Sequence, residues 1–279
     1  MLEIIEIFES SAKAIYIGVS NLFMLAILFF FFSFLVNGKK VFDAISASFS
    51  SGVFNIALMS LNIVVVTPII LVISKYSYSF QLAATFWNAI PEPFVIFCAV
   101  FAADFIGYWR HRLEHTRALW PSHSIHHSDT NMTWLTLQRF HPINRLSTHI
   151  IDSSILLAMG FPLYAVFAAH IVRHYYGYFI HANIPWNYGK WSLVFVSPVM
   201  HRWHHADDSS AYNTNFATVF SIFDRFFGTY RVPGLCDVPL GVSRIGNNSF
   251  LSQMLYPFKF SSYISPKKAI ASNNDASSD

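Results

Sequence analysis

Three short stretches carry most of the chemistry in this chain: His111-Arg-Leu-Glu-His115, His123-Ser-Ile-His126-His127 and His201-Arg-Trp-His204-His205. On an α-helix the positions i, i+3 and i+4 share a face, so each stretch is expected to aim its imidazoles in one direction. Neutral imidazole is a common nitrogen ligand for iron, copper, nickel and zinc, whereas a structural zinc cage usually includes thiolates. Only Cys98 and Cys236 occur, neither with a partner at metal-site spacing, so neither a thiolate cage nor a disulfide framework is expected. A mononuclear catalytic site needs two or three histidines. The eight in these stretches therefore point to two metal ions close together, each with open positions. All 13 histidines fall between His111 and His205, interleaved with tryptophan, proline and aspartate, which excludes a purification tag.

The elements that position these residues are largely apolar. Of 279 residues 54% are hydrophobic, 18% aromatic and only 12% charged, too apolar for an ordinary soluble domain. The formal charge of +3 and the lack of a basic run exclude a nucleic-acid-binding reading. Ile15 to Val36 is uncharged and long enough to cross a bilayer, and the glutamates at Glu3, Glu6 and Glu9 ahead of it are wrong for a signal peptide. Residues 41 to 50 read as an interfacial linker, and Val53 to Ser74 as a second span kinked at Pro68. A third apolar run, Phe94 to Trp109, continues into WRHRLEH and delivers the first histidines just beyond the membrane. Ile150 to Phe167 is apolar again but interrupted by Gly160 and Pro162. A hairpin that dips in and returns is preferred there to a single broken span, because it brings the later histidines back to the side of the earlier ones. The expectation is an all-α integral membrane protein with about four transmembrane or membrane-inserted helical units and a helical head holding a histidine-rich dimetal site. Lys39, Lys40, Arg110, Arg112 and Arg117 follow the first and third spans, while the loop after the second offers only Lys75. The positive-inside rule then places the head in the cytoplasm. The chain divides into an N-terminal membrane region, 1–93, a catalytic domain with further membrane helices, 94–235, and a tail, 236–279, whose end SPKKAIASNNDASSD is expected to be disordered.

The order HxxxH, HxxHH, HxxHH after membrane spans, with DFIGYWRHRLEH, HSIHHSD, FIHANI, SPVMHRWHHADD and SIFDRFFGTY, resembles the fatty acid hydroxylase/sterol desaturase superfamily of membrane di-iron oxygenases. The resemblance covers roughly Asp104 to Tyr230. It implies two iron ions held almost wholly by histidine, O2 as co-substrate, and hydroxylation or desaturation of a lipid such as a sterol or fatty acyl group. Carried over by position, the implied ligands are His111, His115, His123, His126, His127, His201, His204 and His205. A ninth is expected shortly before the last cluster, where His181 in FIHANI matches best and His170 and His174 compete. The resemblance also implies a separate electron donor such as cytochrome b5, ferredoxin or a reductase, since no GxGxxG or CxxCH motif occurs.

Metal-bound histidines usually donate their second ring nitrogen to a carboxylate or carbonyl. Asp104, Asp129, His141, His174, Asp208 and Asp224 are the candidates for that supporting role; Asp224-Arg225 reads equally well as a surface pair or helix cap. His149 and His170 read as packing residues, and Glu114 lies off the face shared by His111 and His115. The 29 phenylalanines suit a cavity that grips a lipid by area. Two other classes compete: a transition-metal transporter, which should place ionisable groups at mid-span depth, and a haem-binding membrane electron carrier, which would not need eight histidines at this spacing.

Overall fold

The computed structural model describes residues 2–77, 84–246 and 248–264. The expectation of disorder for 265–279 falls outside them. Two long helices come first, α1 (Leu2–Asn37) and α2 (Lys40–Ser77), followed by the short α3 (Ala84–Trp87) and then α4 (Glu92–Glu114). A single turn, α5 (Trp120–His123), precedes the hairpin of α6 (Pro142–Ala158) and α7 (Leu163–His181). The short helices α8 (Pro198–His204), α9 (Ile222–Phe226), α10 (Ser243–Gly246), α11 (Phe250–Met254) and α12 (Ser261–Ile264) complete the head. No strand forms among the described residues beyond two isolated bridges, Phe195 with Phe220 and Ala206 with Leu240.

Among the described residues, three helical segments are long and apolar enough to cross a membrane: Ile15–Asn37, Lys40–Ile70 and Glu92–Glu114. Their outward faces carry exposed Phe23, Phe49 and Phe97, as a lipid-facing surface requires. The second begins at Lys40, so residues 41–50, expected as a linker, belong to the helix instead. The only break is the turn at Gly38, with φ +56°, and nothing between Val41 and Ser50 interrupts helical hydrogen bonding. Pro68 lies inside α2, as read from the sequence.

The interrupted apolar stretch at 150–167 is a hairpin. Gly160 turns the chain at φ +79°, a conformation that costs glycine little, and Pro162 caps α7. α4 packs against both arms of this hairpin, while α2 packs against α1 and α6. Where α4 meets α7 the approach is close: a Cβ on Gly107 would lie 1.9 Å from Arg173 Nη2. Arg173 is committed to two carboxylates and cannot simply swing aside. We expect Gly107→Ala to lower stability by about 1–3 kcal/mol through overpacking, measured as a lower thermal midpoint in detergent; an unchanged midpoint would contradict this packing.

The charged residues of these apolar helices find one another. Asp152 on α6 accepts from Arg110 Nε at 2.8 Å and from Arg173 Nη1 at 2.7 Å. Arg110 also donates to Glu114 at 2.7 Å, and Arg173 reaches Asp104 at 3.3 Å. All five side chains are buried. The network ties α4, α6 and α7 together directly beneath the histidine-bearing end of α4.

Candidate metal centre

The nine histidines implied as ligands converge on one place. Their ring nitrogens form two groups, His111, His115, His123, His127 and His204 in one and His126, His181, His201 and His205 in the other, the atoms within each lying no more than 4.8 Å apart. Every ring is at least about nine-tenths buried. His181, rather than His170 or His174, joins the cluster.

The local helical geometry differs from the expectation of one face per motif. α5 ends at His123, and His126 and His127 sit in a following 3-10 turn. Arg139 braces this turn, donating to the Ile125 carbonyl at 3.2 Å, which the Ser128 N–H also reaches at 3.2 Å, and to Ser128 Oγ at 2.9 Å. Each HxxHH motif divides its rings, the second one although α8 carries it without a break. His123 and His127 go to the five-membered group while His126 goes to the other; His201 and His205 go to the four-membered group while His204 crosses back.

Four contacts between Nε2 atoms define the interior. His123 approaches His111 at 3.1 Å and His127 at 3.2 Å, while His181 approaches His126 at 3.2 Å and His201 at 3.0 Å. Metal–imidazole bonds of about 2.1 Å set at right angles would place donor atoms about 3.0 Å apart. The second nitrogens supply the other half of the test. His111 Nδ1 faces the Phe216 carbonyl at 2.7 Å, His181 Nδ1 the Gly177 carbonyl at 2.6 Å, and His204 Nδ1 the Thr214 carbonyl at 2.8 Å. A carbonyl only accepts, so these rings carry their proton on Nδ1 and turn a bare Nε2 lone pair inward. Buried His205 has no hydrogen-bond partner for either nitrogen among the described residues, and the same is true of Nδ1 in His127 and His201. Converging lone pairs and unpartnered imidazole nitrogens are what bound cations would resolve. The residues present fit a dimetal centre.

The expected supporting residues act at different removes. Asp224 accepts the Phe216 and Ala217 N–H groups at 2.7 and 2.9 Å, and Asp104 accepts those of Val219 and Phe220 at 3.0 and 2.7 Å. Together they fix the segment whose carbonyls orient His111 and His204, so they steer the rings through the backbone rather than by touching them. Burial pushes the Asp224 carboxyl up to about 6. Asp129 accepts from Thr136 Oγ1 at 2.7 Å and from Asn55 Nδ2 at 3.3 Å, holding the loop after His127. Asp208 caps the surface turn Ser209–Ala211, and His141 caps α6 and meets the Met254 carbonyl at 3.1 Å. His174 packs on Tyr178, and His149 lies 6.0 Å from His170.

Glu114, passed over in the sequence, is the carboxylate beside a ring. Its Oε2 lies 3.5 Å from His123 Nδ1, and Asn144 meets that same nitrogen at 3.2 Å while donating to Glu114 Oε1 at 2.6 Å. The signal was present: Arg110 and Glu114 are an i, i+4 ion pair at the end of an apolar helix. Arg139 is the other omission, and its contacts to Asn55 on α2 and Gln253 on α11 join it to distant parts of the chain.

Residues 96–229 match the family model described as fatty acid hydroxylase. Over this span the chain is similar to the fatty acid hydroxylase/sterol desaturase superfamily. Among curated relatives it is 30% identical to an ornithine lipid hydroxylase, OlsE, of Rhizobium tropici, over 62% of this chain and 53% of that protein. It is 28% identical to human alkylglycerol monooxygenase, over 57% of this chain and 36% of the relative. A Delta(7)-sterol 5(6)-desaturase, ERG3A, of Gibberella zeae is 29% identical over 47% of this chain and 36% of its own length. The chain thus spans about half or less of the length of these relatives. No solved structure matches it. All nine histidines of the cluster lie within the matched hydroxylase-family span, but the segment after it also closes on them: Val242 N–H donates to the His127 carbonyl at 2.7 Å and Gly241 N–H to that of His205 at 2.9 Å.

The histidine cluster also carries a pH signature. Burial, reinforced by neighbouring imidazoles, holds His126, His127, His201 and His205 well below the ordinary 6.5. The unfolded chain binds protons near 6.5 where the fold refuses them. Stability of the metal-free protein is therefore intact above that value and falls as pH drops below it, by up to about 1.4 kcal/mol per unit for each such ring. We expect the thermal midpoint of chelator-treated protein to decline between pH 6.5 and 5; a flat profile would contradict neutral buried rings.

Proposed function

We propose that the chain is a multi-pass membrane oxygenase that uses O2 and two iron ions to hydroxylate, or desaturate, a lipid. The observation that carries this reading is the convergence of nine buried imidazoles as five and four beside membrane-spanning helices. The names of the relatives agree with it: a lipid hydroxylase, an alkylglycerol monooxygenase and a sterol desaturase. His111, His115, His123, His127 and His204 would hold one ion, and His126, His181, His201 and His205 the other. Bound there, the irons supply O2 activation and attack on an unactivated C–H bond.

The chain's own residues do the rest. The Phe216, Gly177 and Thr214 carbonyls hold three ring protons on Nδ1, while Asn144 and Glu114 fix His123. Phe140 stacks on His126 at 4.6 Å and Trp120 lies 5.1 Å from His115, so apolar rings wall the cluster from water. Hydroxylation consumes one lipid, one O2, two electrons and two protons, and yields the alcohol and one water. The electrons would come from a separate donor such as cytochrome b5, ferredoxin or a reductase. The head would face the cytoplasm, on the side of the α1–α2 turn, where Asn37 Nδ2 donates to the Asn183 carbonyl at 3.3 Å.

A transporter reading is weakened by the buried charges of α4, α6 and α7, which pair with one another and close the interior instead of lining a route through it. The deciding experiment is mass spectrometry of lipids from cells with and without the gene. A gain of one oxygen or a loss of two hydrogens in one lipid class is expected. Unchanged lipids, with metal uptake into vesicles and no O2 consumption, would overturn the reading, as would a haem Soret band in the purified protein.

A further inference from the structure

A cavity of about 840 Å³ lies between α1 and α2, at the upper end of the roughly 300–1,000 Å³ usual for small-molecule sites. One part of its lining is apolar, with Ile27, Phe30, Phe49 and Val53 drawn from the two membrane helices. The other part is polar and is built by the metal-centre segments themselves. Thr130 and Asn131 follow His127, Asn183 follows His181, and Arg202 stands between His201 and His204. The lining contains two cations, Lys40 and Arg202, and no Asp or Glu.

Arg202 is the unusual member. The residue is half-buried, its buried Nη1 has no hydrogen-bond partner, and among the described residues no carboxylate lies within ion-pairing distance. Cys236 acts on it electrostatically, and burial pushes that thiol up and keeps it neutral. A partly desolvated guanidinium without a counter-ion is costly to maintain. It becomes favourable when an anion completes it, and guanidinium geometry suits the paired oxygens of a phosphate. Lys40, exposed at the start of α2, adds a second positive charge to the lining.

We propose that this cavity seats a membrane phospholipid with a net negative headgroup, its chain between α1 and α2 and its phosphate on Arg202 with Lys40 alongside. The inference rests on the lipid-oxygenase reading and specifies its substrate class: an acidic phospholipid in preference to a neutral sterol or a zwitterionic lipid. An apolar groove alone would accept any of these; the unpaired cations select among them.

Binding, measured separately from turnover, tests it. The full chain is purified in detergent, supplied with an equimolar mixture of phosphatidylglycerol and phosphatidylcholine of identical chains, and the retained lipid is counted by native mass spectrometry. Wild type should retain phosphatidylglycerol by about tenfold over phosphatidylcholine. Arg202→Gln should bring the ratio near one, Arg202→Lys should keep most of it, and Lys40→Glu, at an exposed site that folding tolerates, should lower it several-fold. Equal retention by wild type overturns the proposal, as does an unchanged ratio in Lys40→Glu or in folded Arg202→Gln. If the preference follows these charges while no lipid is ever oxidised, the binding site stands and the oxygenase reading alone fails.

Discussion

His123→Ala and His181→Ala are each expected to abolish turnover, by at least about 100-fold, and to lower bound metal from about two ions per chain toward one. The two rings are the hubs of their groups. His123 Nε2 lies within 3.2 Å of two neighbours in the five-membered group, and His181 Nε2 does the same in the other. Removing either takes away the donor that all of those short contacts share. Membrane insertion should not change, because neither ring lies on a lipid-facing surface. Metal analysis of detergent-purified protein alongside activity decides the matter. Wild-type metal content in both variants would remove these rings from any ligand set, whatever happened to activity.

The second large effect is expected far from the histidines in chemistry but next to them in space. Asp152→Leu should cost about 3–5 kcal/mol, because it leaves Arg110 and Arg173 buried with only part of their counter-charge. Against a total stability of about 5–15 kcal/mol, that is enough to reduce the yield of folded protein sharply. Asp152→Asn, which keeps shape and loses charge, should fall between the two. Detergent-solubilised thermal unfolding and size-exclusion profiles measure both. A wild-type midpoint for Asp152→Leu would mean that the two guanidinium groups find other partners, and that α4, α6 and α7 are not held by charge.

These two experiments probe residues of very different legibility. The histidines could be read from spacing because a metal ion demands particular atoms in number, and the chain supplies them in compact motifs. The spans were legible for a similar reason, since a bilayer imposes length and apolarity on contiguous residues. Asp152 was not. Its role depends on α6 and α7 folding back so that one carboxylate meets arginines 42 residues before it and 21 after it, a tertiary fact that no local period encodes. Its mere presence in an apolar stretch was a usable clue that such a partner must exist.

Glu114 shows a subtler failure. Helical phase correctly placed it off the face of His111 and His115, but the ring it supports is His123, delivered by the next element. The assumption that each HxxHH motif presents one face failed in both motifs: the first is broken into a turn and a 3-10 turn, and the second, on the unbroken α8, is met by partner rings from two sides. Asp104 and Asp224 were singled out as partners of rings and are instead partners of the backbone that partners the rings. Sequence proximity located these acids correctly and misjudged the number of links between acid and imidazole.

The division of each HxxHH motif between the two histidine groups makes the covalent chain itself a spacer. Five consecutive residues reach both halves of the centre twice over, once from His123–His127 and once from His201–His205. The distance between the halves is thus gauged by the rise of a single turn rather than by how two independent domains happen to dock.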